Sequence, residues 1–69
     1  MIEISVTTHA RDTKTYCLIE ARLAQFYFRQ FERCIDCALI VAINGLTGEV
    51  VGEYRDGKLT VWDWESVED

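Results

Sequence analysis

Two cysteines three positions apart, in the run Cys34-Ile35-Asp36-Cys37, are the side chains of this chain best spaced for chemistry. A C-x-x-C pair can carry thiol–disulfide exchange or supply half of a zinc site. Exchange needs a thiolate, and thiolates are favoured where the pair opens a helix, against the positive end of the dipole. Here the pair falls at the C-terminal end of a predicted helix, and Glu32 and Asp36 add negative charge, so the thiols are expected to stay protonated. For zinc the other candidate ligands are Cys17 and His9. Cys17 precedes Cys34 by 17 residues, about 25 Å along a continuous helix at ~1.5 Å per residue. One chain is therefore not expected to gather them, and a four-thiolate site would need Cys34 and Cys37 from each of two copies. The simplest reading is two small hydrophobes closing a helix onto a strand, with no metal and no cofactor.

Other catalytic kits are sparse. The single histidine, His9, sits in a polar connection, the serines are Ser5 and Ser66, and no Gly-x-Ser-x-Gly frames either of them. Neither G-x-G-x-x-G nor a Walker-type loop is present, and Gly45, Gly48 and Gly52 are spaced as turn residues. The carboxylates fall on surface strands and the tail, where no pocket is expected to shift their pKa values. No catalytic residue is assigned, and the chain is read as non-enzymatic.

Charge is more informative. The 69 residues carry a formal charge of -5. Residues 1–34 hold Arg11, Lys14, Arg22, Arg29 and Arg33 against four acids, whereas residues 35–69 hold only Arg55 and Lys58 against eight. Arg22, Arg29 and Arg33 share one predicted helix stripe, and arginine suits protein interfaces because its planar fork pairs carboxylates bidentately. In the other half Trp62-Asp63-Trp64-Glu65 interleaves tryptophans with acids, and the tail ends Glu68-Asp69. Alternation points both tryptophans the same way. They form either one core layer, favoured in a thin domain, or an aromatic patch rimmed by Glu49, Asp63 and Glu65. Acid-rich strands can also imitate a phosphate backbone.

The elements that must position these groups read as follows. Ile2, Ile4 and Val6 alternate with Glu3, Ser5 and Thr7, predicting a half-buried strand over Met1–Thr8. After a polar connection from His9 to Lys14, a helix is predicted from Lys14 to about Ile35, capped by Asp12 or Thr13. Its apolar side would hold Tyr16, Ile19, Leu23, Ala24, Phe26, Tyr27, Phe31, Cys34 and Cys37, with Phe26-Tyr27-Phe28 and Phe31 as core. The run Ala38–Ile43 suits a central strand buried on both faces. Asn44-Gly45 and Thr47-Gly48 make a turn, and Val50–Tyr54 and Leu59–Trp64 form a hairpin about Asp56-Gly57. Its expected register sets Arg55 opposite Lys58, Tyr54 opposite Leu59, Glu53 opposite Thr60, Gly52 opposite Val61, Val51 opposite Trp62 and Glu49 opposite Trp64. Gly52 marks a bulge or a close backbone approach.

The fold class is therefore α+β, in β-α-β-β-β order: a single long amphipathic helix on a three- to four-stranded antiparallel sheet, one domain over residues 1–69. A chain this short buries only ~60% of its unfolded surface, leaving little room for an enclosed active site. Three cysteines, an odd number, fit a reducing cytoplasm, and no apolar run is long enough to be a membrane span or secretory signal. The expected function is that of a protein-binding module, a small acidic inhibitor, adaptor or regulator of the kind mobile elements and phages carry, docking on a larger protein machine. Its partner-binding candidates are Arg22, Arg29, Arg33, Glu49, Trp62, Asp63, Trp64 and Glu65. Direct nucleic-acid binding through the arginine stripe is the first alternative, disfavoured by net acidity. A structural homodimer, zinc-bridged through Cys34 and Cys37 or built on an exposed strand edge, is the second.

Overall fold

A computed structural model of the chain describes residues 1–67; the predicted acidic tail end, Glu68-Asp69, lies outside the described residues. Five strands and one helix follow in the order β1 (Ile2–Thr8), β2 (Thr13–Leu18), α1 (Ala21–Glu32), β3 (Cys37–Asn44), β4 (Val50–Arg55) and β5 (Lys58–Trp62), with a final 3₁₀ turn over Trp64–Ser66. The strands form one antiparallel sheet in the spatial order β2-β1-β3-β4-β5. The fold is α+β with a helix on an antiparallel sheet, as expected, but the sheet has five strands rather than three or four and the helix has 12 residues. Among the described residues no helix is long and apolar enough to cross a membrane.

The additional strand comes from the segment expected to start the helix. Lys14, Tyr16 and Leu18 alternate with Thr13, Thr15 and Cys17, and β-branched threonines favour a pleated surface over a helical turn. Pairing with β1 secures the choice: Thr15 Oγ1 lies 3.2 Å from Ser5 Oγ, and Thr13 Oγ1 lies 2.9 Å from Thr7 Oγ1. The joining turn closes with Thr8 N–H donating to the Asp12 carbonyl at 2.9 Å and leaves Arg11 at φ 68°. Asp12 and Thr13 therefore serve the hairpin rather than a helix. Helix α1 begins instead after Glu20, whose side chain makes no capping hydrogen bond, and it ends before Cys34.

Shortening the helix rotates its buried stripe. Ala21, Ala24 and Phe28 face the sheet, and Phe31 packs against the same core. Phe28 is fully buried, whereas Phe26 is 56% exposed, Leu23 43% and Tyr27 41%, so the expected aromatic core run contributes one ring in full. The three consecutive aromatics stand about 100° apart, and a helix packed on one sheet face cannot bury all of them.

The helix covers only one face of the sheet. Ile40 and Ala42 of β3 are buried beneath it, whereas Leu39, Val41 and Ile43 are not fully buried on the opposite face. The central strand is thus not buried on both faces. Each apolar face of a strand needs a covering layer, and the described residues supply a single α-helix.

The β4–β5 hairpin turns on Asp56 and Gly57, both at positive φ (49° and 83°), which fits the right-handed twist of the strands. Its register departs from expectation after two pairs. Arg55 faces Lys58 and Tyr54 faces Leu59, but then Glu53 faces Val61 and Gly52 faces Trp62, because Thr60 is bulged out. Thr60 Oγ1 donates to the Glu53 carbonyl at 3.2 Å and to Glu53 Oε2 at 2.7 Å, holding the bulge. A second irregularity lies between Ala42 and Ile43, where Val51 is the additional residue on β4. The Thr60 bulge brings Trp62 to the helix side, in a row across the sheet that runs Tyr16, Ile4, Ala42, Gly52, Trp62. Bulky residues at the ends and small ones at the middle make a trough, and Phe28 fills it.

Candidate functional site

Trp62 stands at the rim of that trough. Its ring meets Phe28 edge-on at 5.7 Å between centroids and tilts against Trp64 at 5.7 Å, yet it keeps 43% of its surface exposed. Trp64 closes the trough from the 3₁₀ turn and is only 4% exposed, with Phe28 at 6.0 Å. The tryptophans therefore share a side, as alternation suggested, but divide between core and surface. The Trp64 indole N–H is buried without an acceptor among the described residues, close over the Gly52 backbone.

The arginine stripe meets this rim. The Arg29 guanidinium lies 5.4 Å from the centre of the Trp62 ring, a cation–π arrangement, and 4.0 Å from Glu32 Oε2. The arginine-bearing and tryptophan-bearing halves of the sequence thus adjoin at the seam between α1 and β5. Beside it Gln25, Trp62, Asp63, Trp64 and Glu65 line an open groove of about 360 Å³. Asp63 is fixed by its N–H donating to the Val51 carbonyl at 2.8 Å. Arg22, Arg33 and Glu65 are exposed; Arg33 caps the helix C-terminus, and Glu49 lies in the β3–β4 connection, outside the groove. Of the eight candidates, the fold gathers Arg29, Trp62, Asp63, Trp64 and Glu65 around one seam, and Trp64 acts there from within the core.

The residues missed from sequence are Leu23, Phe26 and Tyr27, placed in the core by the longer helix. They form the outward crown of α1, with Phe26 and Tyr27 in edge contact at 5.7 Å. The aromatic triplet itself was the available signal, since its members cannot share one buried face. A second apolar groove, about 600 Å³, runs between α1 and β2 and is lined by Thr15, Tyr16, Cys17, Leu18, Tyr27 and Phe31, with Tyr16 stacked on Phe31 at 5.4 Å.

The C-x-x-C pair follows the helix C-terminus, as expected. Cys34 is exposed and Cys37 buried. Burial first, then the Cys34 thiol and the charge of Asp36, push the Cys37 thiol from its usual 9.0 up to about 11. That is the reverse of what a nucleophilic or ligating thiolate needs. His9 comes beside the pair, its backbone N–H donating to the Asp36 carbonyl at 2.9 Å, and with Glu32, Cys34 and Cys37 it lines an open cavity of about 440 Å³. Among the described residues, however, no three His, Cys, Asp or Glu side chains are grouped to hold a metal ion. Cys17 is distant for a different reason than a long helix. It pairs with Glu3 whereas Cys37 pairs with Thr8, about 17 Å apart along β1 at ~3.4 Å per residue.

No protein-family model, no curated protein and no solved structure matches this chain.

Proposed function

We propose that this chain is a non-enzymatic protein-binding module, a small acidic inhibitor, adaptor or regulator that docks on a larger protein through the crown of α1 and the adjoining Trp62 seam. The observation that carries the reading is the outward crown: Phe26, Leu23 and Tyr27 are each more than 40% exposed on a helix whose next stripe holds Arg22, Arg29 and Arg33. Aromatic residues and arginine are the types enriched at binding hot spots, and a contiguous apolar patch on a small domain has few other uses. Trp62, part buried against Phe28 and overlain by Arg29, is held ready as an anchor, so little side-chain freedom is lost on binding. Asp63 and Glu65 add an acidic rim that steers a basic partner surface. The arginines suit a protein better than a phosphate backbone, because Arg29 is already engaged with Glu32 and Trp62 and acids flank the seam.

The test is crosslinking capture in the cell of origin with Phe26→Ser, Arg29→Glu and Trp62→Ala, and with Glu3→Gln on the opposite sheet face as control. A protein held by the parent and the control, and lost with the three crown and seam variants, is the expected result. An identical set of captured proteins with all four variants would remove the proposal. Trp64→Ala is unsuitable here, since it disrupts the core.

A further inference from the structure

We propose that the free edge of β2 pairs with the same edge of a second copy of this chain, joining two sheets into one of ten strands. The two outer strands of the sheet differ in a way that singles out β2. Strand β5 is short, bulged at Thr60, begins with Lys58 and leads into the 3₁₀ turn, all features that discourage a further strand. Strand β2 pairs with β1 over six residues with no irregularity and carries one charge, Lys14.

The hydrogen-bond phase shows which groups this edge offers. Thr8 N–H donates to Asp12 O and Gly45 N–H donates to Met1 O, so even-numbered residues of β1 bond β2 and odd-numbered ones bond β3. In β2, therefore, Lys14, Tyr16 and Leu18 are engaged with β1, whereas Thr13, Thr15 and Cys17 direct N–H and C=O outward. A two-fold axis at Thr15 pairs Thr15 with itself and Thr13 with Cys17, and the three outward residues of each copy are then all used, giving about six backbone hydrogen bonds.

Charge favours a second copy in this register. Arg11 and Lys14 balance Asp12 and Glu20, so the edge is neutral although the chain carries -5. The acid-rich β4–β5 side lies three to four strand spacings away, about 14–19 Å, beyond the ~8–10 Å screening length. Lys14 of one copy falls opposite Tyr16 of the other, a ring 41% exposed and seated on Phe31. The same axis brings Tyr16 of each copy diagonal to Tyr16 of the other, so that the Lys14 stem and the Tyr16 ring of each copy cover the near end of the other's apolar groove. Tyr27 lines that groove, but Leu23, Phe26 and the Trp62 seam are not used, so the Phe26, Arg29 and Trp62 variants test the proposed function and this pairing stands or falls apart from it.

The experiment combines sedimentation of the full chain over roughly 5–500 μM, spanning the weak to moderate affinities such an edge can give, with amide exchange and Thr15→Pro. The Thr15 N–H points away from β1, so proline there spares the monomer's own ladder. The expected result is a reversible monomer–dimer equilibrium, slowed exchange at Thr13, Thr15 and Cys17 that grows with concentration, and dimerisation weakened at least ~10-fold by Thr15→Pro, as loss of two hydrogen bonds requires. A chain that stays monomeric with those three amides exchanging freely overturns the proposal, as does a Thr15→Pro chain that dimerises like the parent. Should Thr15→Pro fail to fold, the amide pattern of the parent decides alone: concentration-dependent protection confined to the outward residues supports the pairing, and its absence refutes it.

Discussion

Replacing Gly52 by alanine tests the packing that positions both tryptophans. A Cβ built there would lie 3.2 Å from Phe28 Cε2, 3.2 Å from Trp64 Nε1 and 3.4 Å from Phe28 Cζ. The Gly52 backbone is not at positive φ, so alanine brings no backbone strain, and its lower unfolded-state entropy favours folding by ~0.4–1 kcal/mol. Against this, one methyl group forced into a filled core costs ~1–3 kcal/mol. The cost should win because neither neighbour can yield: Phe28 is fully buried, Trp64 is 4% exposed, and the two rings brace each other and Trp62. A net loss of about 1–2 kcal/mol lowers the melting temperature of a domain this size by roughly 5–15 °C. Thermal and urea unfolding followed by tryptophan fluorescence and near-UV circular dichroism read it directly. A paired variant adds a sharper measure, since Phe28→Leu opens space over Gly52; the double variant should lose less stability than the two single losses summed, by ~0.5 kcal/mol or more. Should Gly52→Ala prove as stable as the parent, or should the pair be additive, the trough is not the close fit described and the placement of Trp62 loses its foundation.

Three further outcomes follow from the same geometry. Trp64→Ala should cost ~3–5 kcal/mol, a large part of the stability of a small domain, whereas Trp62→Ala should cost about 1–2 kcal/mol; equal losses in chemical denaturation would contradict their division between core and rim. Because the folded state holds the Cys37 proton more tightly than the unfolded state does, stability is full below the usual 9.0 and falls as pH rises toward about 11, by roughly 2–3 kcal/mol at ~1.36 kcal/mol per unit. Unfolding curves of the parent and Cys37→Ala should diverge across that window, and parallel curves would refute the assignment. Thr60→Val removes both hydroxyl bonds to Glu53 and should cost ~0.5–1.5 kcal/mol, with amide exchange quickening in β5 first.

Much of the fold could be read from local patterns. Strand β1 follows from the alternation of Ile2, Ile4 and Val6, and the last hairpin from Asp56-Gly57, because side-chain period and turn stereochemistry are properties of a few adjacent residues. The close approach at Gly52 was legible too, since a glycine inside a strand implies something pressed against it. The segment Lys14–Leu18 was not. Its residues fit either a helical or an alternating pattern, and only pairing with Glu3, Ser5 and Thr7 decides between them. That one decision moved the helix start by seven residues, turned Phe28 inward and set Phe26 outside.

The candidate site divides the same way. The sequence alone determined that the chain is acidic and that its arginines cluster before residue 35 and its acids after it. Those are properties of residue order, and no packing alters them. Tertiary structure alone decided that Arg29 meets Trp62, that Trp64 is core and Trp62 rim, and that Leu23, Phe26 and Tyr27 form a surface. For the helix the physical reason is the pairing of β2 with β1, which moves the helix start; for the tryptophans it is the bulge at Thr60, where one unpaired residue, held by a hydroxyl bonded to a residue on the neighbouring strand, reverses which face the following side chains take.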